Sequence, residues 1–142
     1  MNEMSLKIRQ TVKADMIEIV GLLQGISDYK PNKILFDKIW ENFNDQKNVY
    51  SVVAQIDNLI VGYGAIVVEI KIRGGKMGHI EDIVSHSEFR KKGVGKAIVN
   101  ALFEIAKEND CYKVALQCKE HNVSFYNKCN YELSGLAMQR FQ

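Results

Sequence analysis

Four cations crowd around two glycines near the middle of this chain. Arg90, Lys91, Lys92 and Lys96 surround Gly93 and Gly95 in the stretch "FRKKGVGKAIVNAL". Directly behind them Val94, Ile98, Ala101, Leu102 and Ile105 recur at helical spacing on one face. A helix N-terminus presents unpaired N–H groups and about half a positive charge, which suits phosphate. Glycine lets backbone touch a ligand there. A solvated basic loop that merely caps the helix is the alternative on residues alone. Two familiar phosphate motifs fail. The GxxxxGK[ST] loop is not matched by Gly93-Val94-Gly95-Lys96-Ala97, and Ile98 stands where GxGxxG needs its last small residue.

Three further groups have chemical potential. Glu81 and Asp82 are adjacent acids inside the apolar run "HIEDIVS". Strand alternation predicts that they face opposite sides of a sheet, so that only one points into a given pocket. Lys71 and Arg73 precede the glycine-rich "GGKMG". The thiols Cys111, Cys118 and Cys129 are odd in number and form no CxxC pair, which reads as free thiols in a reducing compartment with no zinc spacing.

The elements that must hold these groups follow from periodicity. Ser5–Gln10 alternates as a short strand, and Asp15 is expected to cap a helix reaching about Gly25. Pro31 opens a second amphipathic helix with Ile34, Leu35, Ile39, Trp40 and Phe43 apolar. "VYSVVAQI" and "LIVGYGAIVVEI" read as strands joined at Asp57-Asn58, a tight hairpin turn. "HIEDIVS", the basic loop, the helix from Val94, the strand "YKVALQC", the short helix "NVSFYNKC" and one or two closing strands in "YELSGLAMQRF" complete the chain. The order β-α-α-β-β-β-α-β-α-β predicts an α+β fold, a mixed, mostly antiparallel sheet with helices on its faces.

Composition removes other classes. The chain has 142 residues, enough for one core and one domain, 1–142. It is 46% hydrophobic and 25% charged with a net charge of +2, so no general attraction to nucleic acid or anionic membrane is expected. No apolar run approaches the roughly 20 residues of a membrane span. "MNEMSLKIRQ" lacks the apolar core of a signal peptide. A cytoplasmic protein is the expectation.

Arg90-Lys91-Lys92-Gly93-Val94-Gly95 resembles the acetyl-coenzyme A signature [RQ]xxGx[GA] of the GNAT acetyltransferases. With "GHIEDIV" before it, and "CYKVALQC" and "NVSFYNKCNY" after it, the chain is similar to that family's glucosamine 6-phosphate N-acetyltransferase branch over about residues 78–141. The resemblance implies acetyl-coenzyme A as co-substrate, no metal, and direct acetyl transfer to an amino-sugar phosphate on the route to UDP-N-acetylglucosamine; the alternatives are a GNAT enzyme acting on another small amine and a non-enzymatic acetyl-coenzyme A-binding module. It implies that Arg90, Lys91, Lys92, Gly93, Val94, Gly95 and Lys96 hold the coenzyme pyrophosphate. Ile83 and Val84 would pair with the pantetheine arm by strand addition, and Asn122 would bind the same arm. Tyr126 is implied as the acid that protonates the leaving sulfur, and Glu81 and Asp82 line the amine pocket. Ser27, Lys71, Arg73, Lys113, Gln117 and Arg140 are implied around the sugar phosphate. A homodimer whose C-terminal strand crosses to the partner is also implied, with Leu136, Met138 and Arg140 on one face.

The chain departs from the family pattern at three places. Gln117 stands where an acid is usual and retains acceptor capacity without being a base. Asn130 replaces a turn glycine, and asparagine tolerates the left-handed backbone. The Lys71–Arg73 loop is one residue shorter. His79 and His121 receive no role.

Overall fold

The computed structural model describes residues 5–142. Residues 1–4, on which part of the signal-peptide reading rests, lie outside the described residues. Five strands and four α-helices follow one another as β1 (Leu6–Gln10), α1 (Met16–Leu23), α2 (Phe36–Asn44), β2 (Val49–Ile56), β3 (Leu59–Ile70), β4 (Lys76–Ser85), α3 (Val94–Glu108), β5 (Cys111–Leu116) and α4 (Val123–Lys128). The sheet runs in sequence order, β1-β2-β3-β4-β5. Its first four strands are antiparallel, and β5 lies parallel to β4. A parallel neighbour cannot be reached by a hairpin, so α3 makes the crossover between them. The mixed, mostly antiparallel sheet expected from the sequence is the one observed.

Two cores lie on opposite faces of this sheet. On one, Val94, Ile98, Leu102 and Ala106 of α3 pack against Val52, Ala54, Val61, Ile66 and Ile80. Each fully buried aliphatic side chain contributes about 1.5–3 kcal/mol of transfer free energy. Two glycines of β3 set how closely α3 approaches. A Cβ at Gly62 would stand 2.5 Å from the Ile98 side chain, and one at Gly64 2.6 Å from Ile83. On the other face Ile19, Leu22 and Leu23 of α1 and Phe43 of α2 meet Val53, Ile60, Tyr63, Ala65 and Val84. The β2–β3 turn is the expected Asp57-Asn58 pair, with Ile56 opposite Leu59 and Asp57 at φ 52°.

Asp15 does not cap α1. A short 3-10 turn, Lys13–Asp15, precedes that helix and turns the carboxylate back toward the chain entering it. There it accepts the Val12 N–H at 2.9 Å and both terminal nitrogens of Arg9 at 2.8 Å. The Arg9 hydrogen bonds hold the Asp15 carboxyl below the usual carboxylate range against the opposing effect of burial. The second helix is likewise preceded by a 3-10 turn, Lys33–Leu35, where Asn32 Oδ1 accepts the Ile34 N–H at 3.1 Å, so Ile34 and Leu35 remain exposed instead of joining a buried stripe.

The closing strands are absent from this chain's own sheet. After α4 the described residues form no further strand. Leu136 is 97% and Met138 95% exposed. The tail has the alternation of a strand but leaves its own sheet unpaired, so alternation alone could not make it one.

Candidate active site

β4 and β5 separate in the middle of the sheet. Their pairing ends at Ile80 opposite Leu116, while β4 continues to Ser85. The Glu81–Ser85 segment thus keeps a backbone edge, on the β5 side, with no strand partner among the described residues. Such an edge accepts an extended amide-bearing chain by main-chain hydrogen bonding. Ile83 and Val84 lie within it.

The chain leaves this edge through a 3-10 turn, Ser87–Phe89, capped by His86, whose Nδ1 accepts the Glu88 N–H at 3.1 Å. Lys91 at φ 69° and Gly93 at φ 80° then adopt left-handed backbone before α3 begins at Val94. Alternating backbone handedness turns successive N–H groups toward one concavity. The amides of Val94, Gly95 and Lys96 open the helix without intrahelical acceptors. Arg90, Lys91, Lys92 and Lys96 are exposed around it, and none forms an ion pair among the described residues. Free amides, a glycine at positive φ and unpaired cations together fit a diphosphate.

Gly95 does something else as well. A Cβ there would lie 3.1 Å from the Phe125 ring. The second glycine therefore lets α4 lie against the first turn of α3, a packing role beyond simple ligand approach. α4 in turn carries Tyr126, whose ring meets Phe125 edge-on at 5.0 Å and Tyr131 at 6.2 Å. Burial raises the Tyr126 phenol above its ordinary value, with Cys118 and Cys129 adding to the shift. It is thus a protonated donor at neutral pH. Asn122 is the N-cap residue of α4, yet its exposed side chain makes no capping bond. α4 closes in a Schellman turn. Tyr131 N donates to Tyr126 O at 3.0 Å and Asn130 N to Asn127 O at 3.1 Å, with Asn130 at φ 70°. Asparagine takes up the left-handed backbone that this turn requires. His121 is exposed.

The acids of β4 depart from strict alternation. Tyr63 pairs with Val84 and Ala65 with Glu81, so Gly64 faces two residues, Asp82 and Ile83. Asp82, at φ 56°, is the inserted residue of this bulge. Ile80 and Ile83 consequently both reach the α3 core, and Val84 returns to the face of Tyr63. Glu81 shares the face of Ala65, its partner across the ladder. Tyr63 is on that face too, and its phenol is pushed up to about 12, first by burial and then by the charge of Asp82. The expectation that the two acids serve opposite faces fails because alternation assumes an uninterrupted ladder.

The same face continues toward the start of β4. His79 stands beside Ala115, and Met77 beside Lys113, so Lys113, His79 and Glu81 share one side of the β4–β5 pair. Glu69 accepts from His79 Nε2 at 2.8 Å and Lys71 Nζ at 3.0 Å. These bonds, that of His79 foremost, hold its carboxyl below the usual range. Arg73 donates to the Tyr112 hydroxyl at 3.1 Å, which lowers the Tyr112 phenol. Sequence reasoning missed Glu69 and Tyr112. The alternating Glu69, Lys71, Arg73 spacing was the available signal for the first; nothing local pointed to the second.

The remaining residues are scattered. Ser27 lies in the loop after α1, its Oγ accepting the Tyr29 N–H at 3.2 Å. Neighbouring Gly25 approaches Val84, a Cβ there standing 3.9 Å away. That is the far end of β4 from Lys71 and Arg73, roughly 25 Å away at about 3.3 Å per residue. Gln117 is exposed just past β5, and Arg140 is exposed in the tail.

Residues 18–131 match the Acetyltransferase (GNAT) family. The chain is 38% identical over 121 residues to glucosamine 6-phosphate N-acetyltransferase 1 of Dictyostelium discoideum, covering 82% of this chain and 77% of that protein. It is 31% identical over 144 residues to the glucosamine 6-phosphate N-acetyltransferase of Arabidopsis thaliana, covering 95% of each. A crystal structure of the enzyme of that name from Arabidopsis thaliana superposes with a TM-score of 0.91 at 30% identity, over 96% of this chain and 98% of that one.

Proposed function

This chain belongs to the GNAT acetyltransferase family, and from that premise we propose that it transfers the acetyl group of acetyl-coenzyme A to the amine of glucosamine 6-phosphate. The observation that carries this reading is the similarity, over 95% of the chain, to a relative of that name. The sheet face bearing Lys113, His79 and Glu81, with Lys71 and Arg73 at its rim, supports it. It offers cations for a phosphate and carboxylates for an amine on one surface.

The geometry supports the following roles. Amides at the start of α3, with Arg90, Lys91, Lys92 and Lys96, hold the pyrophosphate. The free edge at Ile83 and Val84 receives the pantetheine amides, and Asn122 binds the same arm. Holding donor and acceptor side by side supplies much of the acceleration. Transfer is direct, in a ternary complex. Glu81 and Asp82 orient the amine, and Tyr126 delivers its proton to the departing sulfur. Ser27, Gln117 and Arg140 complete the acceptor site in a homodimer. The exposed, strand-patterned tail bearing Leu136, Met138 and Phe141 supports pairing with a second copy. Within one chain Arg140 stands outside the sheet.

The test is release of coenzyme A thiol from acetyl-coenzyme A with glucosamine 6-phosphate, glucosamine or a polyamine panel as acceptor. Turnover should be strongly selective for the phosphorylated sugar. Equal turnover of glucosamine, or preference for a polyamine, would overturn the acceptor assignment.

A further inference from the structure

Of the three histidines, His86 spends its Nδ1 on a cap and His121 is exposed beyond β5. His79 alone stands inside the sheet, beside Val67 of β3 and Ala115 of β5. Its ring is turned to Glu69, diagonally across the β3–β4 ladder. Nε2 lies 2.8 Å from Glu69 Oε1, and Lys71 Nζ lies 3.0 Å from the same oxygen. These bonds hold the Glu69 carboxyl below its usual range. At neutral pH it is therefore ionised and has no proton to give, so Nε2 carries the one between them. In the neutral ring Nδ1 is then a lone-pair acceptor. It makes no hydrogen bond among the described residues.

The position of this acceptor along the face matters. From the rim inward come Lys71 with Arg73, then His79, then Glu81. His79 and Glu81 are next-but-one residues of a strand, roughly 7 Å apart. Lys71 keeps two N–H donors beyond the one on Glu69. A phosphate at the rim and an amine at Glu81 thus place what joins them over His79. In glucosamine 6-phosphate, carbons 3 and 4 separate the amine-bearing carbon from the one that carries the phosphomethyl arm. Each bears a hydroxyl, which can donate to Nδ1.

We propose that His79 is a specificity-determining residue, its Nδ1 accepting a hydrogen bond from the 3- or 4-hydroxyl of the sugar while Glu69 fixes the tautomer. This rests on the reading of glucosamine 6-phosphate as the acceptor. The contact distinguishes a sugar from a plain chain that carries an amine and a phosphate at the same separation.

Initial rates of thiol release test this with glucosamine 6-phosphate, its 3-deoxy and 4-deoxy analogues, and glucosamine. They are measured in the parent chain and in His79→Leu at about pH 8, where an ordinary imidazole is neutral. His79→Leu should raise the KM for glucosamine 6-phosphate on the order of threefold to tenfold, the worth of one hydrogen bond. The kcat and the acetyl-coenzyme A affinity should be unchanged. One deoxy sugar should show a similar rise in the parent chain and no further rise in His79→Leu, because that pair of groups is already broken. The other should respond to His79→Leu as glucosamine 6-phosphate does. His79→Phe keeps a flat ring in place and should behave as His79→Leu does. An unchanged KM in the folded variants, or an equal KM rise on all three phosphorylated sugars, overturns the proposal alone. So does a lower kcat at unchanged KM, which would make His79 a proton acceptor instead. A parent chain that turns over glucosamine as well as glucosamine 6-phosphate overturns the acceptor reading and this proposal with it.

Discussion

At the C-terminal end of β4 one chain gathers a free strand edge, a left-handed glycine loop, the first amides of α3 and the α4 helix with Tyr126. At the N-terminal end the same strand starts beneath a rim of Lys71, Arg73, Tyr112 and Lys113, whose side chains lie open or half-open to solvent. Ser27 is near neither Lys71 nor Arg73, and Arg140 lies on the exposed tail. The C-terminal end has the parts to hold its ligand alone. The N-terminal end has the parts of half a site. A coenzyme site can be assembled by local connections through one crossover, β4-α3-β5. The acceptor site proposed above, shared between two chains, would not close until they meet.

The sharpest way to break this contrast is to mix two defective chains. On the proposed roles, Tyr126→Phe would disable the C-terminal end and Arg140→Ala the N-terminal end. Co-refolding the two variants yields heterodimers. If Arg140 acts across the interface, one site of each heterodimer has both residues intact and the other has neither. Random pairing then restores about a quarter of all sites, from a nearly inactive start, because a closed two-fold dimer exchanges its segments reciprocally. No recovery of thiol release means that Arg140 acts within its own chain or not at all. A fully active monomer in sedimentation would remove the shared site altogether.

Another test asks whether the C-terminal end is a unit. Valine at Gly95 must displace the Phe125 ring, 3.1 Å from the nearest position its Cβ could take, and Tyr126 moves with it. Coenzyme affinity and the chemical step should therefore both fall, on the order of a hundredfold in kcat/KM, about 2.7 kcal/mol. Gly93→Ala meets no atom within 4 Å but sits at φ 80°. It should cost about 1 kcal/mol of stability and much less activity. Titration calorimetry with coenzyme A and thermal melts separate the two. Equal losses at both positions would mean that the glycines act only through backbone shape.

What the sequence revealed depends on how far each feature reaches. The glycine loop, the α3 stripe, the Asp57-Asn58 turn and the short helix that carries Tyr126 were legible because each is fixed by neighbours a few residues away. The Glu69–His79 and Arg73–Tyr112 contacts were not, because they depend on ladder register across strands ten and thirty-nine positions apart. The bulge at Asp82 escaped because alternation has no way to announce an insertion. The tail read as a strand because its pattern is one, but a strand needs an edge, and in this chain none is paired to it.

A smaller effect separates scaffold from chemistry. Asp15 anchors the entry to α1, the helix that leads to the Ser27 loop, through its twin contacts with Arg9. Its folded carboxyl is held below the unfolded value of about 3.9. Its stabilisation is therefore complete above that value and is lost as pH falls through the lower folded one. Asp15→Asn should cost about 2–3 kcal/mol at neutral pH. The difference from the parent chain should shrink below about pH 4. Acid and urea melts check both statements. A pH-independent difference would mean that shape, not charge, is what Asp15 supplies.

The smallest expected effect lies at the open end. Tyr112 is exposed, and its hydroxyl steadies the Arg73 guanidinium at 3.1 Å without touching any other part of the proposed machinery. An exposed contact of this kind contributes little to stability, since water competes for both partners. It does narrow the orientations of a long side chain, and binding a phosphate needs one of them. Tyr112→Phe should therefore leave the melting curve and acetyl-coenzyme A affinity unchanged and raise the KM for glucosamine 6-phosphate by about threefold. Arg73→Ala should raise it by about tenfold or more, as loss of a charge-assisted phosphate contact requires. The pair is informative because the two substitutions should not compound: once Arg73 is gone, Tyr112 has nothing to orient. A double variant with the KM of Arg73→Ala alone supports a cationic rim that binds the acceptor's phosphate. If both single variants keep the parent KM, the phosphate is held elsewhere, and the open end of β4 is surface.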